Sequence, residues 1–245
     1  MSSTEIREPK YRVVADHLSR LVEELGEGAA IPTERELAQH FAVSRVTVRQ
    51  AVQELLVAGR LRRQGRGTVV AGPKVVQQLV LGSYTEGLHE QGRRPGRRLV
   101  HVDRLPAPAE LAAELEIAEG DEVVVLERVL LADGHPVGLE DTRLPVARFP
   151  RLLADFDPET SLYAYVRGTG VEFETATERI ETVLAAPREA MLLETNPAAP
   201  MLLLNRVSRD PEGRPIERVR SLFRGDRFSF VTTLRKAEPG SPRPK

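Results

Sequence analysis

The chain has 245 residues, 41% hydrophobic and 29% charged, a composition expected of a folded, soluble protein with one large domain or two ordinary ones. Its formal net charge is -1 and it contains no cysteine, which excludes an overall basic character, disulfides, thiolate nucleophiles and cysteine-bound zinc. No apolar run approaches the roughly 18 residues that a membrane span requires, and the first nine residues carry both charge signs without the apolar core of a secretory leader, so a cytoplasmic protein with no membrane partner is expected.

In chain order, Val14, Leu18, Leu21, Val22 and Leu25 make one apolar stripe, predicting a helix over 10–24 that Gly26 and Gly28 end. Thr33 to Glu36 reads as a capping box, with Leu37, Ala38 and Phe41 on the buried side of the helix it opens. Ser44 is suited to cap a third helix. Along it Val48, Ala51, Val52, Leu55 and Leu56 form a core stripe, while Arg45, Thr47, Arg49, Gln50 and Gln53 lie off it. Gly59 is placed to end that helix. Two short strands are predicted near 61–63 and 68–71, joined by Gln64-Gly65-Arg66-Gly67. Between Val43 and Lys74 there are seven basic residues and one acid, Glu54, a local basic cluster that the overall charge conceals.

Three short helices followed by a basic hairpin is the order of a winged helix-turn-helix. The run from Pro32-Thr-Glu-Arg-Glu-Leu-Ala38 through Phe41-Ala-Val-Ser-Arg-Val-Thr-Val-Arg-Gln-Ala51 to Gly65-Arg-Gly-Thr68 resembles the GntR family of bacterial regulators over about residues 10–72. The resemblance implies binding to a double-stranded, two-fold symmetric DNA operator as a homodimer. Arg35 would hold the phosphate backbone. Ser44 would open the recognition helix. Arg45 and Arg49 would enter the major groove, with Arg49 the candidate for a bidentate contact to guanine. Thr47 would meet a phosphate or a thymine methyl, and Arg66 with Gly67 would bring the wing tip to the minor groove. Val69 replaces the aromatic residue usual after the Gly-Thr of the wing. The alternative for Arg45 and Arg49 is a solvated helical face.

The boundaries expected are a DNA-binding domain over 1–72, a linker over 73–78, an effector-binding and dimerisation domain over 79–237 and a disordered tail over 238–245. Strands are predicted near 99–105, 122–131, 137–144, 175–185, 201–208, 215–223 and 228–234. Helices are predicted near 108–115, 149–155, 161–167 and 188–194. The fold class is therefore α+β, around an antiparallel sheet. A weak internal echo joins Arg128-Val129 with Gly134-His-Pro136 to Arg206-Val207 with Gly213-Arg-Pro215. Even offsets place Glu140 on the face of Pro136 and Glu217 on that of Pro215. Both glutamates would turn inward to a ligand, with solvent exposure as the alternative.

Ser83-Tyr-Thr-Glu86, Thr160-Ser-Leu-Tyr163, Ala186-Pro-Arg-Glu-Ala190 and Arg224-Gly-Asp-Arg227 are similar to segments of the HutC-type branch of the GntR family over residues 75–237. That domain is related in fold to chorismate lyase, and the chain as a whole resembles regulators of N-acetylglucosamine use. The resemblance implies that Ser83, Thr85, Arg128, Ser161 and Tyr163 hold a phosphate or other anion, and that Glu140, Glu217 and Arg206 hold a sugar. Two positions depart from the pattern: Leu130 replaces a second arginine and Phe223 a tyrosine. An amino sugar or sugar phosphate is the expected effector, and repression the expected sign. Two other classes stay open, an enzyme of lyase-like fold and an architectural DNA-binding protein without ligand. No nucleophile elbow, phosphate loop or dinucleotide motif is present, the five histidines lack metal-ligand spacing, and no cofactor is expected.

Overall fold

A computed structural model describes residues 9–64 and 67–234. Arg66 and the tail over 238–245 lie outside the described residues. The N-terminal part contains helices α1 (Lys10–Leu25), α2 (Glu34–His40) and α3 (Arg45–Val57), then the hairpin of β1 (Leu61–Gln64) and β2 (Gly67–Val70). The predicted stripes meet in one core, where Val14, Leu18 and Val22 of α1 pack on Val48, Val52 and Leu55 of α3 beneath Leu61. Each such side chain removed from water contributes roughly 1.5–3 kcal/mol. Leu25 departs from its stripe and is exposed, because α1 ends there. Thr33 and Glu36 form both halves of the capping box, and the Ser44 hydroxyl accepts from the Thr47 N–H. These caps set where the turn between α2 and α3 begins and ends.

Residues 73–78, expected as a linker, contain a strand, β3 (Val75–Gln78), which pairs in parallel with β10 (Phe228–Val231). The remaining elements are α4 (Tyr84–His89), β4 (Pro95–Pro106), α5 (Ala109–Leu115), β5 (Glu122–Ala132), β6 (His135–Pro145), α6 (Leu152–Asp155), α7 (Leu162–Gly168), β7 (Thr175–Leu184), α8 (Pro187–Leu192), β8 (Pro200–Arg209) and β9 (Pro215–Arg224). β4 to β9 build one antiparallel sheet in the order β4-β5-β6-β9-β8-β7. The order is palindromic: two meanders, each preceded by a short helix and interrupted by another, meet where β6 pairs with β9. The echo at Arg128 and Arg206 extends through the whole domain. The same chain separation divides Ser83 from Ser161, and Glu116 from Glu194, the left-handed residues just after α5 and α8.

The faces of Glu140 and Glu217 differ from their derivation. Register shifts between Leu130 and Leu131 in the β5–β6 pair, and between Ser208 and Arg209 in the β8–β9 pair, add one residue just after each proline. A bulge of that kind turns the strand over. Each glutamate therefore lies on the face opposite its proline, and that face is the one carrying Arg128 and Arg206. Among the described residues no helix is long and apolar enough to cross a membrane.

Candidate functional site

Two regions concentrate exposed or unpartnered polar chemistry. On the N-terminal part, α3 presents Arg45, Val46 and Arg49 to solvent, with Arg35 exposed on α2. Arg49 donates through Nε and Nη2 to Glu34 Oε2, at 3.2 and 3.0 Å. Arg63 of β1 approaches the same carboxylate at 3.7 Å. The Arg49 hydrogen bond holds the Glu34 carboxyl below the usual carboxylate range. Ser44 and Thr47 spend their hydroxyls partly on each other, 2.9 Å apart. Gly67, at the start of β2, is exposed. Val46 is 71% exposed. The sequence reading passed it over, although an apolar residue lying off the core stripe was the signal that could have found it.

The second region is a cleft of about 750 Å³, open solvent at its mouth included, over the sheet face that carries Arg128, Glu140, Arg206 and Glu217. Ser83 and Tyr84 border it from the start of α4, and Ser161 and Tyr163 from the start of α7. Gln77 of β3, with Phe228 and Phe230 of β10, closes another side. The Ser83 and Ser161 hydroxyls, at equivalent points of the two halves, lie 3.2 Å apart.

Charges in the cleft are largely matched in pairs. Arg128, 1% exposed, donates to Glu140 at 2.6 Å and through Nη1 to the carbonyls of Pro158 and Thr160. Arg206 donates to Glu178 at 2.8 Å and to the Tyr163 hydroxyl at 3.0 Å. Tyr163 stacks on Phe173 with ring centroids 4.1 Å apart, and its burial raises the phenol pKa. Glu217, fully buried, accepts from Ser208 Oγ at 3.0 Å. Burial first, then the Glu140 charge, push its pKa up to about 7, against the opposing pull of Arg206.

Of the eight expected effector residues, seven line the cleft. Thr85 does not line it. Its hydroxyl accepts from Arg97 Nη2 at 2.8 Å, so it positions an arginine that the sequence hid inside the basic run from Arg93 to Arg98. Arg97 lies directly across the β4–β5 pair from Leu130, and its guanidinium carbon is 5.6 Å from the Tyr84 ring centroid. The other departure, Phe223, places its ring against Gly138, where a Cβ would come within 2.8 Å of it, and stacks on Phe228 at 4.2 Å. The cleft gains an apolar wall there and no hydroxyl. The helix α4 was itself missed, although Ser83 and Glu86 form a capping box.

Among the described residues, the buried side-chain nitrogen and oxygen atoms without a hydrogen-bond partner are almost confined to this cleft. They are Gln77 Oε1, Tyr84 OH, Arg97 Nε, Arg128 Nε, Thr142 Oγ1 and Glu217 Oε2, all of cleft residues, with Arg227 Nη1 the one outside. Buried polar groups are otherwise satisfied by protein or water in folded proteins, so this concentration gives the cleft a set of donors and acceptors that water or a polar ligand can take up. Among the described residues no cluster of histidine and acid side chains could hold a metal ion.

The two regions touch. Lys74 donates to the Gly225 carbonyl at 2.7 Å. Gly59, at φ +72, packs so closely on the Asp226 carbonyl that no side chain could replace its hydrogen there. Asp226 lies two residues before the first residue of β10, the strand that borders the cleft.

Comparison with known proteins gives matches over both regions. The family model described as bacterial regulatory proteins, gntR family, matches residues 10–70, and that of the UTRA domain matches residues 90–229. The chain is 48% identical over 225 residues to the HTH-type transcriptional repressor PhnF of Mycolicibacterium smegmatis, covering 92% of each chain. It is 33% identical over 228 residues to the HTH-type transcriptional repressor NagR of Bacillus subtilis, covering 91% of this chain and 93% of the relative. The crystal structure of PhnF from Mycobacterium smegmatis superposes with a TM-score of 0.68 at 47% identity, over 91% of this chain and 100% of that one.

Proposed function

Because the chain belongs to the GntR family of bacterial regulators, with a UTRA domain as its second part, we propose that it is a cytoplasmic repressor that binds a two-fold operator as a homodimer and is controlled by a small anionic metabolite, a sugar phosphate or amino-sugar phosphate. The family membership makes it a DNA-binding regulator and sets the lyase reading aside. The observation that carries the effector reading is the collection of buried, unpartnered polar atoms in one cleft.

At the DNA end, Arg35, Ser44, Arg45, Thr47 and Arg49 meet the operator, with Arg66 and Gly67 at the wing tip. Val46 adds an apolar contact suited to a thymine methyl. Arg49 exchanges Glu34 for a base edge. An exposed ion pair is worth about 0–1 kcal/mol, so that exchange is cheap. Arg49→Ala is expected to weaken operator binding by about 1–3 kcal/mol and to relax one base preference. Electrophoretic titration of the variant against single-base operator variants checks this, and unchanged affinity would refute the assignment.

At the sensing end, Ser83, Ser161 and Tyr163 donate to the anion, with the unpartnered Nε–H of Arg128 as an auxiliary donor and Thr85 acting indirectly. Glu140, Glu217 and Arg206 take hydroxyl or amino groups. A ligand that fills the cleft presses on β3 and β10. The same strands lead to Lys74 and Asp226, where the DNA-binding part rests. Ligand therefore acts by unequal affinity for two placements of that part. A thermal-shift screen with amino sugars, their 6-phosphates and other sugar phosphates tests the effector class. A ligand at about 100 times its Kd adds roughly 2.7 kcal/mol of apparent stability. No shift with any of them would remove the sugar-phosphate assignment.

A further inference from the structure

We propose that Arg97 is the cation that recognises the effector's charged end, and that this end is an oxyanion, a phosphate or a carboxylate, held by Arg97 and the Tyr84 hydroxyl together. The proposal rests on reading the cleft as the effector site and names a contact that reading does not include.

The charge balance of the cleft is the first support. Arg128 is neutralised by Glu140, and Arg206 by Glu178. Among the described residues Arg97 has no ion-pair partner, and the only hydrogen bond of its side chain runs to the neutral Thr85 hydroxyl. The remaining carboxylate, Glu217, already accepts from Ser208 and lies among the groups of Arg206 and Tyr163. Arg97 is therefore the cleft's one cation without a salt-bridge partner among the described residues, attracted by Glu140 only at longer range. A guanidinium drawn partly out of water without a counter-ion is costly, and a bound anion removes that cost.

Geometry is the second. Arg97 lies opposite Leu130 on the sheet, which places it on the cleft face at a position where β5 offers only an apolar side chain. Thr85 fixes one end of the guanidinium, and the Tyr84 ring packs against it at 5.6 Å. Two donors remain buried without an acceptor, Arg97 Nε–H and Tyr84 O–H. Donors left without acceptors call for an acceptor-rich ligand group, and a planar guanidinium favours an oxyanion. Arg128 is poorly placed for this role, since its two terminal nitrogens are committed to Glu140 and to two backbone carbonyls.

The experiment is calorimetric titration of the full chain with inorganic phosphate and, separately, with acetate, on wild type, Arg97→Gln, Arg97→Lys and Thr85→Val. At least one anion is expected to bind wild type, and the one bound more tightly identifies the oxyanion. Arg97→Gln should weaken it tenfold or more, Arg97→Lys should recover part of the loss, and Thr85→Val should weaken it several-fold. Should Arg97→Gln misfold, the Lys and Val variants carry the same comparison. Equal binding by wild type and the variants overturns the proposal, as does failure of wild type to bind either anion. A sugar phosphate that raises the melting temperature of Arg97→Gln as much as that of wild type overturns the Arg97 assignment while leaving the cleft as the effector site.

Discussion

Arg128→Ala is expected to cost the protein about 3–5 kcal/mol of stability, the range for breaking a buried ion pair from one side. Arg128 is among the largest fully buried side chains, and its 2.6 Å contact with Glu140 is accompanied by hydrogen bonds to the Pro158 and Thr160 carbonyls. Its removal leaves Glu140 without a counter-charge. It also frees the loop that delivers Ser161 to the head of α7. Replacing both partners, as in Arg128→Met with Glu140→Leu, should cost less than Arg128→Ala alone, because no uncompensated charge is then left behind. Urea unfolding of the three chains measures this. A loss under about 1 kcal/mol for Arg128→Ala would contradict the buried-pair account.

Glu217→Gln is expected to change the pH dependence of stability by about 3 kcal/mol. Burial and the Glu140 charge raise the folded carboxyl from 4.5 to about 7. The native state thus holds this proton more tightly than the unfolded chain. The stabilisation is complete below about pH 4.5, declines as pH rises and is lost through pH 7, at up to ~1.4 kcal/mol per pH unit. Glutamine cannot ionise and keeps an acceptor for Ser208. The variant should therefore match wild type near pH 4.5 and be the more stable of the two at pH 8. Chemical denaturation at several pH values checks it, and parallel profiles for the two chains would contradict the assignment.

The N-terminal part was almost wholly legible in the sequence, because its signals are local. Thr33 and Glu36 lie within one helical turn, as do Ser44 and Thr47, and the stripes on α1 and α3 need no knowledge of distant partners. The sheet was legible as strands but not as faces. Glu140 and Glu217 do turn toward the cleft, yet for a different reason from the even spacing, since the bulges after Pro136 and Pro215 reverse that count. Arg97 was hidden because Arg93, Arg94, Arg97 and Arg98 read together as a solvated basic run, and only pairing with Leu130 turns one of them inward. The apolar character of the segment after Lys74 is legible as capable of strand pairing, but the identity of its partner was hidden for a related reason, as β10 lies at the far end of the chain. Non-local pairing is what periodicity in a short window cannot register.

The affinity of the full chain for an operator duplex selected from a random library, measured by fluorescence anisotropy with and without a compound that raises the melting temperature, joins both ends of the molecule in one number. Coupling through β3 and β10 predicts at least a tenfold change in operator Kd, about 1.4 kcal/mol, when the cleft is saturated. A compound that fills the cleft and leaves the operator Kd unchanged would contradict a ligand-controlled repressor.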